Sequence, residues 1–198
     1  MKLPKAIGVT LLAVIWGTQN PAEALVNNQA IQSNITLTPT KLPTTKQSNL
    51  VAINDTYWGP QRDFEIQMPG RVESNERNEL TSWSTASQIA YIIAHKDMPS
   101  EVFYLSTLGI QQLLQSSMRE NIARKGKVVR STNLVIDGYP GLELLVQNSD
   151  GSLGQYQAFL VKGRMYVLGA VTQNELTTEV VNFFKSFRIY PEKIRFYR

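Results

Sequence analysis

Between residues 64 and 172 the chain consists largely of short β-type runs joined by very short turns. The first run, 64–68, alternates apolar and polar residues and ends at Pro69-Gly70, which is typical of a half-buried strand closed by a turn. Two later runs are joined by Lys162-Gly163 alone. Parallel strands need crossover connections of about a dozen residues or more, so these turns predict antiparallel hairpins.

The β-type runs of this kind cover 64–68, 80–85, 88–95, 128–136, 142–146, 156–161 and 164–171. Two amphipathic segments accompany them. The first covers 101–124 and places apolar residues three or four positions apart, from Phe103 to Met118; the second begins near Asn174-Glu175. Helices with one apolar stripe pack well on an antiparallel sheet. The pattern therefore predicts the α+β class, with a central antiparallel sheet of about six to seven strands flanked by two main helices.

The first 24 residues have the three parts of an export signal. Lys2 and Lys5 supply positive charge, 7–16 form an uncharged apolar core, and Ala22-Glu23-Ala24 provides a cleavage site. The alternative is a membrane anchor, but the apolar run is far shorter than the roughly 20 residues that span a bilayer. We predict cleavage near Ala24 and a location outside the cytoplasm, in the periplasm, the thylakoid lumen or the medium.

A polar segment follows the predicted signal. Residues 25–57 are rich in Asn, Gln, Thr and Ser and contain few charges, and no helix or strand period persists along them. The interpretation favoured here is a flexible spacer, and the alternative is a tether or docking arm. The predicted organisation is a signal peptide at 1–24, a polar flexible leader at 25–57 and an α+β domain at 58–198.

The lack of cysteine limits the chemistry of the chain. It excludes disulfides, thiolate zinc sites, iron–sulfur clusters and a lipid attached through cysteine. No G-x-S-x-G motif marks a nucleophile, and Gly151-Ser152-Leu153-Gly154 leads into a strand rather than a phosphate-binding helix. We therefore predict that the protein is not an enzyme.

Several structural motifs carry a family resemblance. They are Met68-Pro69-Gly70, Asp97-Met98-Pro99 before the long helix, the run 138–143, the run 163–168 and the aromatic run 183–187. Together they resemble the PsbP-like family, which is named for a lumenal extrinsic subunit of photosystem II. The resemblance implies an α-β-α sandwich and a non-enzymatic accessory or assembly role, often in the thylakoid lumen or periplasm of cyanobacteria.

The chain has one histidine, His95, and Asp97 follows two residues later. On an extended segment both side chains lie on the same side, where they could share a metal ion. The family resemblance implies zinc, since some PsbP-like proteins bind it. Two ligands do not complete a site, so the competing interpretation is a surface histidine at a strand end. No other cofactor is expected.

Basic residues gather around the end of the long helix and near the C-terminus. The residues predicted to contact a partner are Arg119, Arg124, Lys125, Lys127, Arg130, Lys185, Arg188 and Arg195. Such residues suit an acidic protein or an anionic membrane surface, and the alternative is ordinary solubility. The net charge of +4 is small for a nucleic-acid binder, and a monomer is expected.

These observations favour an exported, non-catalytic domain that binds another protein, as an assembly or stability factor of an envelope or thylakoid complex. The first alternative is a carrier of a small molecule or zinc in a cleft between sheet and helix. The second is a hydrolase of the cell envelope, which would require a pocket with convergent polar groups.

Overall fold

The computed structural model describes residues 55–123 and 126–196, and the strands and helices below are numbered in chain order. The strands are β1 (Asp55–Trp58), β2 (Phe64–Met68), β3 (Arg71–Glu76), β4 (Glu79–Ser84), β5 (Ile89–Asp97), β6 (Gly126–Ile136), β7 (Tyr139–Asn148), β8 (Leu153–Val161), β9 (Arg164–Thr172) and β10 (Arg188–Ile189). The α-helices are α1 (Thr107–Ala123) and α2 (Thr178–Ser186). Short 3₁₀ turns lie at Ser100–Tyr104 and Pro191–Lys193.

The main sheet has seven strands in the order β3-β4-β5-β9-β8-β7-β6, and every neighbouring pair is antiparallel. The short turns of the sequence explain this arrangement, because hairpins join β3 to β4, β6 to β7, β7 to β8 and β8 to β9. A smaller sheet has the order β1-β2-β10. The predicted α+β class with a central antiparallel sheet is confirmed.

One helix packs on each face of the main sheet. Leu114 and Met118 of α1 are buried with apolar side chains of β7, β8 and β9. On the opposite face, Val180 and Phe183 of α2 are buried together with the side chains of β2 and β10. The two cores explain why β9, at the centre of the sheet, is buried along its whole length. The layers therefore form an α-β-α sandwich.

The first helix begins later than the sequence pattern predicts. Residues 100–104 form a 3₁₀ turn, Leu105 is extended, and α1 starts only at Thr107. The Ser106 hydroxyl accepts a hydrogen bond from the Gly109 N–H, as an N-cap does. The helix therefore starts six residues later than the predicted helix 101–124, and Phe103 is not part of its apolar stripe.

The segment around Glu73, Glu76 and Glu79 reads in sequence as a solvated loop or helix face, but it forms a hairpin. Glu76 faces Glu79 across the turn between β3 and β4. Apolar and polar residues alternate only weakly along β3, because this strand lies at the edge of the sheet, where most side chains are exposed. Strand β1 takes in the last three residues of the predicted leader, from Asp55.

Some predictions concern residues outside the described ranges. These are the signal peptide 1–24, most of the leader 25–57, and the basic residues Arg124 and Lys125. Among residues 55–123 and 126–196, no helix combines the length and apolar character that crossing a bilayer requires.

Candidate functional site

A buried ionic cluster lies at the start of β9. Arg164 is 2% exposed, although it is charged. Its Nε donates to Asp97 Oδ1 at 2.5 Å and its Nη1 donates to Asp63 Oδ2 at 2.9 Å. Burial lowers the pKa of Arg164, but the hydrogen bonds to the two carboxylates outweigh burial and raise it. The guanidinium is therefore held as a cation between two acids from different strands and loops.

Asp63 is fully buried and joins a second side chain to this cluster. Its Oδ2 also accepts a hydrogen bond of 2.6 Å from the Tyr166 hydroxyl. Burial and the bond to Asp63 raise the pKa of Tyr166 above its ordinary range. The phenol therefore keeps its proton and acts as a donor. Tyr166 follows Arg164 by two positions on β9, so both side chains reach the same face of the sheet.

His95 lies beside this cluster on β5, opposite Tyr166 in the sheet register. Its ring packs against Phe64 and Tyr166, with centroids 5.8 Å and 6.2 Å apart. The ring forms a hydrogen bond with the backbone of Arg77. Its Nε2 atom is buried without a hydrogen-bond partner in the described part of the chain. Burial is the largest of several effects and lowers the pKa of His95.

The C-terminal segment covers one side of the cluster. The Gln61 side chain accepts from the Arg195 N–H at 2.7 Å and donates to the Arg195 carbonyl at 2.8 Å. Arg164 Nη2 donates to the same carbonyl at 3.1 Å. Phe196 then lies over the guanidinium, 5.8 Å from its ring centroid. Arg195 thus contributes its backbone here, and its exposed side chain still fits the predicted role toward a partner.

His95 and Asp97 line the same cavity, as the metal prediction requires. However, Oδ1 of Asp97 already accepts the Arg164 hydrogen bond, so a zinc ion would compete with a guanidinium for this carboxylate. Within 55–123 and 126–196, no three His, Asp or Glu side chains are placed to hold a metal together. The zinc pair stays a prediction.

An exposed apolar patch, termed here the 103–108 patch, lies next to the cluster. Tyr104 is 88% exposed and Leu108 is 63% exposed. Phe103 packs edge-on against Phe196 with ring centroids 5.3 Å apart. The patch comprises Phe103, Tyr104, Leu105, Leu108 and Phe196. Contiguous exposed apolar groups of this kind mark interaction surfaces.

Leu108 also lines a shallow groove of about 530 Å³ that runs along α1 beside β6. Its walls include Gln112 and Gln115 of the helix and Asn133 of β6, and it extends to Arg119. The distance from Leu108 to Arg119 along the helix is about 16 Å. The groove and the 103–108 patch therefore form one continuous surface.

The predicted partner-binding cations do not form a single face among the described residues. Arg119 lies on α1, and Lys185 lies on α2 across the sheet. Arg130 pairs with Glu143 at 3.2 Å, and Arg188 donates to the Lys185 carbonyl at 2.6 Å. Lys127 is exposed on β6. Their role toward a partner stays a prediction.

Sequence reasoning did not find Asp63 or Arg164, nor the 103–108 patch. Asp63 directly precedes a β-type run, and Arg164 opens β9, a strand that is buried along its whole length. A charge at the margin of a fully buried strand is a usable signal, because such a charge needs a partner. The partner itself lies 101 residues away, which local patterns do not reveal.

No family model matches the chain, and no curated protein matches it. Among solved structures, cyanobacterial PsbP (CyanoP) from Synechocystis sp. PCC 6803 is similar, with 10% identity and a TM-score of 0.49. The match covers 73% of this chain and 98% of CyanoP. The Saccharomyces cerevisiae Ran-binding protein Mog1p shares 8% identity over 71% of this chain and 97% of its own, with a TM-score of 0.47. CyanoP is a PsbP, the family that the sequence motifs resemble. These similarities concern the fold alone.

Proposed function

We propose that this protein is an exported, non-catalytic domain that binds another protein through the 103–108 patch and the adjoining groove of α1. The observation that carries this proposal is the exposure of several large apolar side chains on the short segment 103–108 and at Phe196. Phe103 lies against Gly163 and Phe196, so it presents its exposed side without first becoming ordered. Preordered aromatic groups of this kind supply binding energy at a low entropic cost.

Charge around the surface indicates the kind of partner. Lys162 is exposed in the turn that contacts Phe103, Arg195 is exposed beside Phe196, and Arg119 lies at the far end of the groove. A partner segment with apolar anchors flanked by acidic residues would match both the patch and its rim. The cationic residues predicted from sequence would then act at the margins of an apolar contact.

Site-specific photocrosslinking tests this surface. A photoreactive phenylalanine analogue replaces Tyr104 in one variant and Val181, an exposed residue of α2, in the matched control. In the native host we expect one discrete adduct from position 104, none from 181, and loss of the adduct when Leu108→Asp is added. Absence of adducts at 104, or the same adducts at both positions, would contradict the proposal.

Two further measurements test the rest of the proposal. The mass of the protein recovered from its host should correspond to a chain that starts at Leu25, because the predicted cleavage follows Ala24. Recovery of a chain that still starts at Met1 would contradict the prediction that an export signal is cleaved from this protein. A screen with hydrolase substrates should give no turnover, and turnover that a single substitution abolishes would establish an enzyme instead.

A further inference from the structure

Strand β6 lies at one end of the main sheet. In the described part of the chain no strand pairs with its outer side. Its bulge lies between Val128 and Arg130, so the seven residues from Arg130 to Ile136 pair regularly with β7. Alternate residues of an antiparallel strand direct their N–H and C=O groups to opposite sides. Three or four of these seven residues therefore direct both groups away from β7, where a further strand could bind them.

The two edges of the main sheet differ in how they are protected against pairing. The opposite edge, β3, has six residues, of which three are charged, and a bulge interrupts it between Val72 and Ser74. Strand β6 has eleven residues, and from Ser131 to Ile136 it carries no charge, glycine or proline. Val135 in this run is 70% exposed. Short length, charge and bulges protect edge strands from pairing, so β6 is the edge better suited to accept another strand.

The groove beside α1 borders this edge. The Gln115 side chain of α1 donates to Asn133 and accepts from the Ser131 hydroxyl, both at 3.2 Å. The side chains of Ser131 and Asn133 therefore lie on the α1 face of the sheet, and Val135 follows at the same spacing on the same face. The side chains of a strand added beside β6 would alternate in the same way, so every second one would enter the groove.

The two ends of the groove differ in chemistry. Only two residues connect α1 to β6, so the helix and the strand run in opposite directions. Leu108 therefore lies toward the Val135 end of β6, whereas Arg119 lies toward its start, where Lys127 is also exposed. An apolar side chain of a partner suits the first end, and an acidic side chain suits the second.

We propose that the partner binds as an antiparallel strand added to β6. One apolar side chain of the partner lies beside Val135 and Leu108, and an acidic side chain four positions further along lies near Arg119. This inference rests on the proposed function and specifies how the partner occupies the groove. The direction follows the main sheet, in which every neighbouring pair is antiparallel. Main-chain hydrogen bonds supply affinity in this mode, and the alternate side chains supply specificity.

A synthetic peptide tests this binding mode directly. The probe is a capped seven-residue peptide with valine at its second position, glutamate at its sixth and threonine elsewhere. Hydrogen exchange of the full chain, resolved by NMR, should be fast at alternate amides of 131–136 and about tenfold slower with about 10 mM peptide. Two further peptides are N-methylated at odd or at even positions. Only one of them should lose binding, because only one set of N–H groups faces β6.

Two lysine variants distinguish this proposal from the proposed function. Val135→Lys places a charge on the edge and should weaken peptide binding at least about fivefold, whereas Val181→Lys, at an exposed position of α2, should leave it unchanged. In the host, Val135→Lys should also remove the adduct formed from position 104. If that adduct persists, the strand proposal is overturned and the proposed function stands. If position 104 forms no adduct even without these substitutions, the proposed function fails, and the peptide still decides whether β6 accepts a strand.

The remaining outcomes also decide the proposal. Unchanged exchange at about 10 mM peptide, or the same result with both N-methylated peptides, would overturn it. Slow exchange of every amide of 131–136 without peptide would show that another part of the chain already covers the edge. A dimer in light scattering that Val135→Lys dissociates would show that a second copy occupies it. Either result would overturn the assignment of this edge to a partner protein.

Discussion

At the scale of single residues, Arg164 decides the stability of the centre of the sheet. It joins Asp63 from the loop before β2 to Asp97 at the end of β5, and all its partners lie far away in sequence. A buried ion pair is not in itself strongly stabilising, but its loss leaves a charge buried without compensation. The same group also holds the C-terminal segment through the Arg195 carbonyl.

Arg164→Met should lower the free energy of unfolding by about 3–5 kcal/mol, because the Asp63 carboxyl, at 0% exposure, then loses its cationic partner. Urea denaturation measures the loss. Arg71→Met, at an exposed position of β3, is the control and should change stability by less than about 0.5 kcal/mol. Adding Asp63→Asn to Arg164→Met should restore part of the loss. Equal midpoints for the two arginine variants would contradict this prediction.

Buried tyrosines predict a loss of stability at alkaline pH. Burial, with a smaller effect of the Asp150 charge, raises the pKa of Tyr156 to about 12. An unfolded tyrosine ionises near pH 10. The stabilisation is therefore complete below about pH 10 and is lost as the pH rises through about 12. Between pH 9 and 11, the wild type should lose about 1 kcal/mol more than Tyr156→Phe in urea unfolding. Parallel pH profiles of the two proteins would count against this assignment.

At the scale of elements, the turn between β8 and β9 positions the exposed aromatic patch. Gly163 adopts a φ of +82°, and a Cβ at this position would overlap the ring of Phe103. Gly138, in the turn between β6 and β7, has a φ of +83° with open space around it. The two glycines therefore share a left-handed φ, and only at Gly163 would an added Cβ meet a neighbouring side chain.

Both Gly138→Ala and Gly163→Ala should be destabilising by about 1–2 kcal/mol through the left-handed backbone. Gly163→Ala should cost about 1 kcal/mol more, because Phe103 must move away from the turn. It should also reduce crosslinking from position 104, and Gly138→Ala should not. Thermal or urea unfolding of the two variants measures the difference, and an equal loss would show that Phe103 is not held by the turn.

Local patterns predicted most elements but not every boundary. The strand β2 ends at Met68 as predicted, because alternation and the following Pro-Gly turn are local signals. The start of α1 was wrong because Ser100 and Ser106 are both acceptable caps, and sequence alone does not rank them. Strand β3 was missed because an exposed edge strand has little hydrophobic period.

At the scale of the whole molecule, the layered fold followed from short turns and amphipathic stripes, whereas the candidate site did not. The cavity brings together the loop at Gln61, the turn at Asn78, the end of β5 and the start of β9. His95 and Asp97, the two cavity residues that the sequence identified, lie two positions apart on one strand, β5. The order of strands in the sheet brings the other cavity residues together from distant parts of the sequence. Local sequence patterns do not predict such proximity, so the structure is needed to find them.

The C-terminal segment closes the molecule over this site, so its removal should act on the whole fold. A chain that ends at Lys193 loses the half-buried Ile194 and the hydrogen bonds of Arg195 with Gln61 and Arg164. We expect a loss of about 3 kcal/mol, since each bond contributes about 1 kcal/mol. A chain that ends at Phe196 keeps every one of these contacts and should unfold like the full chain. If both truncated chains have the same urea midpoint of unfolding, the C-terminal segment does not stabilise the domain. A lower urea midpoint for the shorter chain alone establishes the segment as part of the domain.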